Sequence, residues 1–192
     1  MAYYTKKDKV MKIKVLSDEI VYDGQFLQTI RRHFWDREGN KKSWEMIKRK
    51  IYGRIVAIAA LTPEREIILE KIYRVPCGKY VLELPAGLTD RKNESEEEAI
   101  RRELLEETGY TVDEVKPLFS GYISAGMSDD EMAVYVETNA RLVQEPELEG
   151  MEDIEVVKVP LNDLVNYLRK NAGIKPDAKI AAVISFLEKL GY

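Results

Sequence analysis

Residues 87–110 read Gly87-Leu-Thr-Asp-Arg-Lys-Asn-Glu94-Ser95-Glu-Glu-Glu98-Ala-Ile-Arg-Arg102-Glu103-Leu-Leu-Glu106-Glu107-Thr-Gly109-Tyr110. The spacing predicts one helix. Ser95 is a good N-cap, and Glu98 three residues later completes a capping box. Gly109 is a natural C-terminal stop. Ala99, Ile100 and Leu104 can pack inward. Beside them, Glu103, Glu106 and Glu107 fall within a sector of about 100°. Like charges at such spacings destabilise an isolated helix, so a compensating charge is expected. A divalent cation fits, because hard oxygen donors suit Mg²⁺ or Mn²⁺. The competing reading is a solvated acidic face, but such faces usually alternate sign, and Glu103 and Glu107 repeat one sign.

The remaining composition narrows the chemistry. A chain of 192 residues suits a single domain with a small N-terminal extension, and 45% hydrophobic content supports a sizeable core. A net charge of −4 gives no general attraction to nucleic acid. Residues 31–54 are locally basic, which suits either exposed strand faces or a phosphate-facing surface. Cys77 and His33 are the sole residues of their types. An intrachain disulfide, a cysteine zinc cluster and a histidine triad are therefore excluded. The first residues carry no apolar signal segment, and no apolar run approaches a membrane span. A cytoplasmic location without membrane contact is expected.

Along the chain, Lys12–Val15 alternates as a strand. Gln25–Trp35 and Trp44–Ile51 flank a hairpin turn at residues 36–40. Arg54–Leu61 reads as a buried central strand, followed by a turn and a strand at Ile67–Arg74. Shorter strands are expected at Tyr80–Leu84, Leu118–Ile123, Glu131–Glu137 and Ile154–Val159. Leu161–Asn171 and Asp177–Leu190 read as amphipathic helices. The class is α/β, with a mixed sheet between helices.

The quoted stretch resembles the Nudix box: a Gly, then a Glu, then Arg-Glu-apolar-any-Glu-Glu-any-Gly-apolar. Gly87, Glu94, Arg102, Glu103, Leu104, Glu106, Glu107, Gly109 and Tyr110 fill those places, with one extra residue between Gly87 and Glu94. The resemblance covers roughly residues 20–190 and is closest to the ADP-ribose pyrophosphatase subfamily. It implies an α/β/α sandwich with a small N-terminal antiparallel sheet. Residues 1–50 would serve dimerisation and substrate contact, and 51–192 catalysis. The implied reaction is metal-dependent hydrolysis of ADP-ribose to AMP and ribose 5-phosphate. The alternatives are other nucleoside diphosphate sugars, such as ADP-glucose or GDP-mannose, and a non-catalytic nucleotide sensor. Intact Glu103, Glu106 and Glu107 argue against a sensor.

By the same resemblance, Glu103, Glu107 and Glu106, with the Ala86 carbonyl, would hold two or more Mg²⁺ ions, Mn²⁺ being an alternative. Arg74 would meet the diphosphate, and Glu83 would position a metal-bound water or the substrate. Trp44 would stack on adenine across a homodimer, with Phe26 at the second stacking position, Trp35 a rival and Arg49 reaching phosphate or ribose. Glu152 is the first choice of catalytic base and Glu149 the second. At position 125, Ala replaces the Pro typical of ADP-ribose enzymes, which leaves substrate ranking open.

Overall fold

The computed structural model describes residues 12–50 and 53–192. The expectations for residues 1–11 and for a strand end at Ile51 fall outside this range. The chain divides into two compact units.

The first unit contains the described residues up to Lys50, together with Tyr122–Asp130. Three strands, β1 (Lys14–Asp23), β2 (Leu27–Trp35) and β3 (Lys41–Arg49), form an antiparallel sheet in the order β1-β2-β3. The β2–β3 turn is closed by Asp36, whose carboxylate accepts from the N–H groups of Glu38 and Asn40. This is the side-chain turn chemistry that an Asp at a hairpin corner supplies. Every residue of β1 is exposed, including Val15, Leu16, Ile20, Val21 and Tyr22. The segment 124–128 docks on β3: Ile47 N–H donates to the Met127 carbonyl at 2.8 Å. The sequence reading had assigned this segment to the catalytic region.

The second unit comprises Gly53–Gly121 and Glu131–Tyr192. Its elements are β4 (Ile55–Ala60), β5 (Glu66–Arg74), β6 (Lys79–Glu83), β7 (Ala86–Leu88), α1 (Glu96–Thr108), β8 (Tyr110–Thr111), β9 (Lys116–Tyr122), β10 (Glu131–Glu137), β11 (Arg141–Leu142), β12 (Ile154–Pro160), α2 (Leu164–Lys170), β13 (Lys175–Pro176) and α3 (Ala178–Leu190). Two mixed sheets, β7-β4-β10-β9 and β12-β5-β6-β13, supply the framework. In the first, β4 runs parallel to β10 and antiparallel to β7.

All six residues of β4 are buried, as its continuous apolar run demands. Strand alternation then sorts them. On the odd face, Ile55, Ala57 and Ala59 pack toward Leu164, Ile180, Val183 and Leu187 of α2 and α3.

 The even face, Val56, Ile58 and Ala60, packs toward Ala99, Ile100 and Leu104 of α1. The sheet framework therefore lies between α1 on one side and α2 and α3 on the other, the sandwich expected. Each fully buried Ile or Leu in these two clusters contributes about 1.5–3 kcal/mol.

The C-terminal half departs from expectation in detail. The helix expected over Leu161–Asn171 opens as a 3₁₀ turn at Leu161–Asp163, and α2 begins at Leu164. Pro160 at the end of β12 sets that entry. The short strands β7, β8, β11 and β13 carry too few residues for an alternation to register.

Candidate active site

Helix α1 forms as its sequence requires. Ser95 Oγ accepts from the Glu98 N–H, and the Glu98 carboxylate accepts from the Ser95 N–H at 2.8 Å. Glu96, Glu97 and Glu98 place negative charge at the positive end of the helix. Gly109 closes it at φ 74°, in the left-handed region. The buried positions are Ala99, Ile100, Leu104, Glu107 and Thr108. Glu107 stands three residues after Leu104 and seven after Ile100, so helical geometry carries its carboxylate into the interior.

The loop before α1 absorbs the extra residue. Asn93 turns through φ 67°, and Glu94 meets Arg102 through two bonds of 2.8 and 3.0 Å. Arg102 also donates to the Leu88 carbonyl at 3.2 Å and pairs with Glu103 at 2.8 Å and Glu106 at 3.3 Å. One guanidinium thus ties the loop, β7 and the acidic face together. Glu106, more exposed than its neighbours, also meets Arg91 at 3.2 Å.

Strand β7 runs alongside. The Leu88 N–H donates to Glu103 at 3.4 Å and the Ala86 N–H to Glu107 at 3.3 Å. Gly87 lies between them, and a Cβ there would land on the Glu103 carboxyl. The glycine is what lets the helix carboxylate reach the strand.

Glu70 of β5 joins this group, and the sequence reading gave it no role. It is 2% exposed and makes a side-chain hydrogen bond with Glu107. Burial, then the charge of Glu107, push the Glu70 carboxyl well above the ordinary range. Burial also raises Glu107, to about 8, with the charges of Glu103 and Glu152 adding to the rise. The hydrogen bond between the two raises Glu70 further and opposes the rise of Glu107. Burial raises Glu103 as well, against the opposing pull of Arg102. The signal for Glu70 was present: in Ile67-Ile68-Leu69-Glu70, alternation puts Glu70 on the face of Ile68, which packs toward α1.

Arg74, at the end of β5, forms a two-bond pair with Glu83 of β6, at 2.8 and 3.1 Å. Glu83 is buried. Glu152 accepts from the Glu149 N–H at 2.7 Å, and its charge acts on Glu107. Glu149 itself is exposed.

The other predicted residues belong to the first unit. Trp44 on β3 is 57% exposed and its indole N–H donates to the Gly126 carbonyl at 3.0 Å. It lines a cleft of about 400 Å³ with Arg32, Phe34, Tyr122, Ala125 and Asp129. Phe34 and Tyr122, rather than Phe26 or Trp35, are the aromatics that share this cleft with Trp44. Phe26 is exposed in the β1–β2 turn, and Arg49 pairs with Asp130 at 3.4 Å.

Among the described residues, no three His, Cys, Asp or Glu side chains stand ready-set around a common ion position. Glu103 is drawn to Arg102 and Glu107 to Glu70. The donor chemistry nonetheless fits a hard divalent cation. Glu103 and Glu107 both reach β7, Glu70 meets Glu107 from β5, and Glu70 Oε1 is buried without any hydrogen-bond partner.

The NUDIX domain matches residues 52–181. The chain belongs to the Nudix family. It is a Nudix hydrolase, and its acidic helix with Gly87 and Arg102 is the Nudix box. It is similar to the ADP-ribose pyrophosphatase of Bacillus subtilis (strain 168), with 29% identity over 94% of this chain and 95% of the relative. It is also similar to the GDP-mannose pyrophosphatase of Enterobacter sp. (strain 638), with 30% identity over 94% and 97%. Among solved structures, an ADP compounds hydrolase superposes with a TM-score of 0.77 over 94% of this chain and 95% of that one, at 20% identity. That likeness shows the fold.

Proposed function

We propose that this Nudix hydrolase cleaves the diphosphate of ADP-ribose, releasing AMP and ribose 5-phosphate. The observation that carries the reading is the intact acidic box, with Glu103 and Glu107 drawn together against β7. Similarity to an ADP-ribose pyrophosphatase along 94% of the chain supports the substrate class. Similarity to a GDP-mannose pyrophosphatase at 30% identity, with Ala125 in the Trp44 cleft, favours nucleoside diphosphate sugars as the second reading.

Glu103 and Glu107, with Glu106 and the Ala86 carbonyl, would hold Mg²⁺, or Mn²⁺ in its place. When bound, such ions neutralise a diphosphate and lower the pKa of water. Arg74, half-exposed beside buried Glu83, is placed to bind phosphate. Glu83 fixes the guanidinium and so orients it. Glu152 takes a proton from the attacking water. A cytoplasmic site of action accords with the single free Cys77.

The deciding experiment is a panel of ADP-ribose, ADP-glucose and GDP-mannose at low concentration with Mg²⁺. ADP-ribose should give the highest kcat/KM, with AMP as product. A tenfold preference for GDP-mannose would transfer the assignment to the second reading, and no hydrolysis of any would overturn both.

Glu152→Gln should lower kcat by about 10²–10⁴-fold with little change in KM, since a base acts in the transition state. Glu149→Gln should stay within a few-fold of the parent. The reverse order would make Glu149 the base.

The protein acts as a homodimer through its first unit. The support is β1, an edge strand exposed throughout that carries five large apolar side chains, a state native proteins rarely leave uncovered. Trp44 would stack on the nucleobase, so Trp44→Ala should raise KM about 5- to 150-fold, the loss of roughly 1–3 kcal/mol of stacking. A fully active monomer in sedimentation at micromolar concentration would refute the dimer, and an unchanged KM the stacking role.

A further inference from the structure

We propose that Glu70 is a fourth carboxylate of the cation centre, joined to Glu107 through one oxygen and offering the other to a divalent ion or to a water on it. The inference rests on the cation reading of the box and extends it to a strand that the box motif does not contain.

Three observations carry it. First, Glu70 is 2% exposed, and its Oε1 has no hydrogen-bond partner. Buried polar atoms are nearly always satisfied, so an orphan oxygen marks a missing ligand. Second, its position is set by the sheet. Glu70 stands directly opposite Glu83 in the β5–β6 register, so both side chains share one face, and Arg74 lies on that face four residues along β5. Third, the carboxyl groups outnumber the basic side chains that meet them. Glu70, Glu83, Glu103 and Glu107 bring four carboxyls, Arg74 is committed to Glu83, and Arg102, which meets Glu103, is shared with Glu94 and Glu106. A buried set of acids with too few cationic partners is what a metal ion would complete.

A simpler role for Glu70 is a neutral filler that only donates a hydrogen bond to Glu107. Glu70→Gln separates the two: the amide keeps the volume and the donor but removes the ionisable oxygen. Free Mn²⁺ is followed by electron paramagnetic resonance as the metal alone is titrated into full-length parent, Glu70→Gln, Glu70→Met and Glu107→Gln proteins. Melting in chelator checks the fold. The expected result is Mn²⁺ binding at least tenfold weaker in Glu70→Gln, with a chelator melting temperature no lower than the parent's. Should Glu70→Gln fail to fold, Glu70→Met, apolar and of similar size, removes both oxygens, and parent-like Mn²⁺ affinity there would equally overturn the proposal. Parent-like Mn²⁺ affinity in the folded Glu70 variant, alongside lost affinity in Glu107→Gln, would overturn the proposal and leave the box reading intact. Parent-like affinity in Glu107→Gln as well would overturn both.

Discussion

Glu107→Gln should leave a folded protein whose turnover falls by about 10²-fold or more, since one metal anchor is worth several kcal/mol of charge stabilisation. Loss of stability should not accompany it. Glu107 is buried beside Glu70, and burial pushes its pKa up to about 8. In the unfolded chain it titrates in the ordinary carboxylate range. The folded state therefore binds that proton more tightly, and stability falls as pH rises from the carboxylate range through about 8. Glutamine carries no such charge. In chelator, Glu107→Gln should melt at or above the parent temperature, with the gap widening across that pH window and level above it. Turnover within a few-fold of the parent at low Mg²⁺ would remove Glu107 from the metal centre. A variant that melts lower at every pH would show that its carboxyl is structural.

Gly87→Ala should be nearly as damaging to activity, for a steric reason. Gly87 has no positive φ among the described residues, so its backbone accepts alanine. The new methyl would meet the Glu103 carboxyl, the far end of a flexible side chain, which can swing aside. The fold should survive while Glu103 leaves the Leu88 N–H. We expect kcat to fall about 10–100-fold, the range for disturbing a metal ligand's support, and the Mg²⁺ concentration for half-maximal activity to rise. Parent-like Mg²⁺ dependence would mean that Glu103 is not held by its contact with β7.

The contrast between these residues shows what sequence can carry. Helix α1 was legible to the residue because its cap, its stop and its apolar spacing are all local. Glu103 and Glu107 followed from the same spacing. Glu70 was hidden because its importance depends on a neighbour 37 positions away, across packed layers. Its alternation within β5 pointed toward α1, yet alternation alone does not say which helix residue it meets. The Trp44 cleft was half visible. The aromatic strand was readable, but the docking of residues 124–128 on β3 is a long-range contact with no local signature, and Phe34 shares the face of Trp44 through the β2–β3 register, which sets Arg32 opposite Trp44.

The docking of that segment has a consequence for inheritance and engineering. The first unit is written in two places, before residue 51 and again at Tyr122–Asp130. An N-terminal region borrowed from a relative would arrive without the loop its third strand is bonded to. Chimeras exchanging both segments together should retain a working cleft, whereas a single junction near residue 50 would pair a strand with a stranger's loop. The Trp44 cleft is therefore a feature that travels as two separate stretches or not at all.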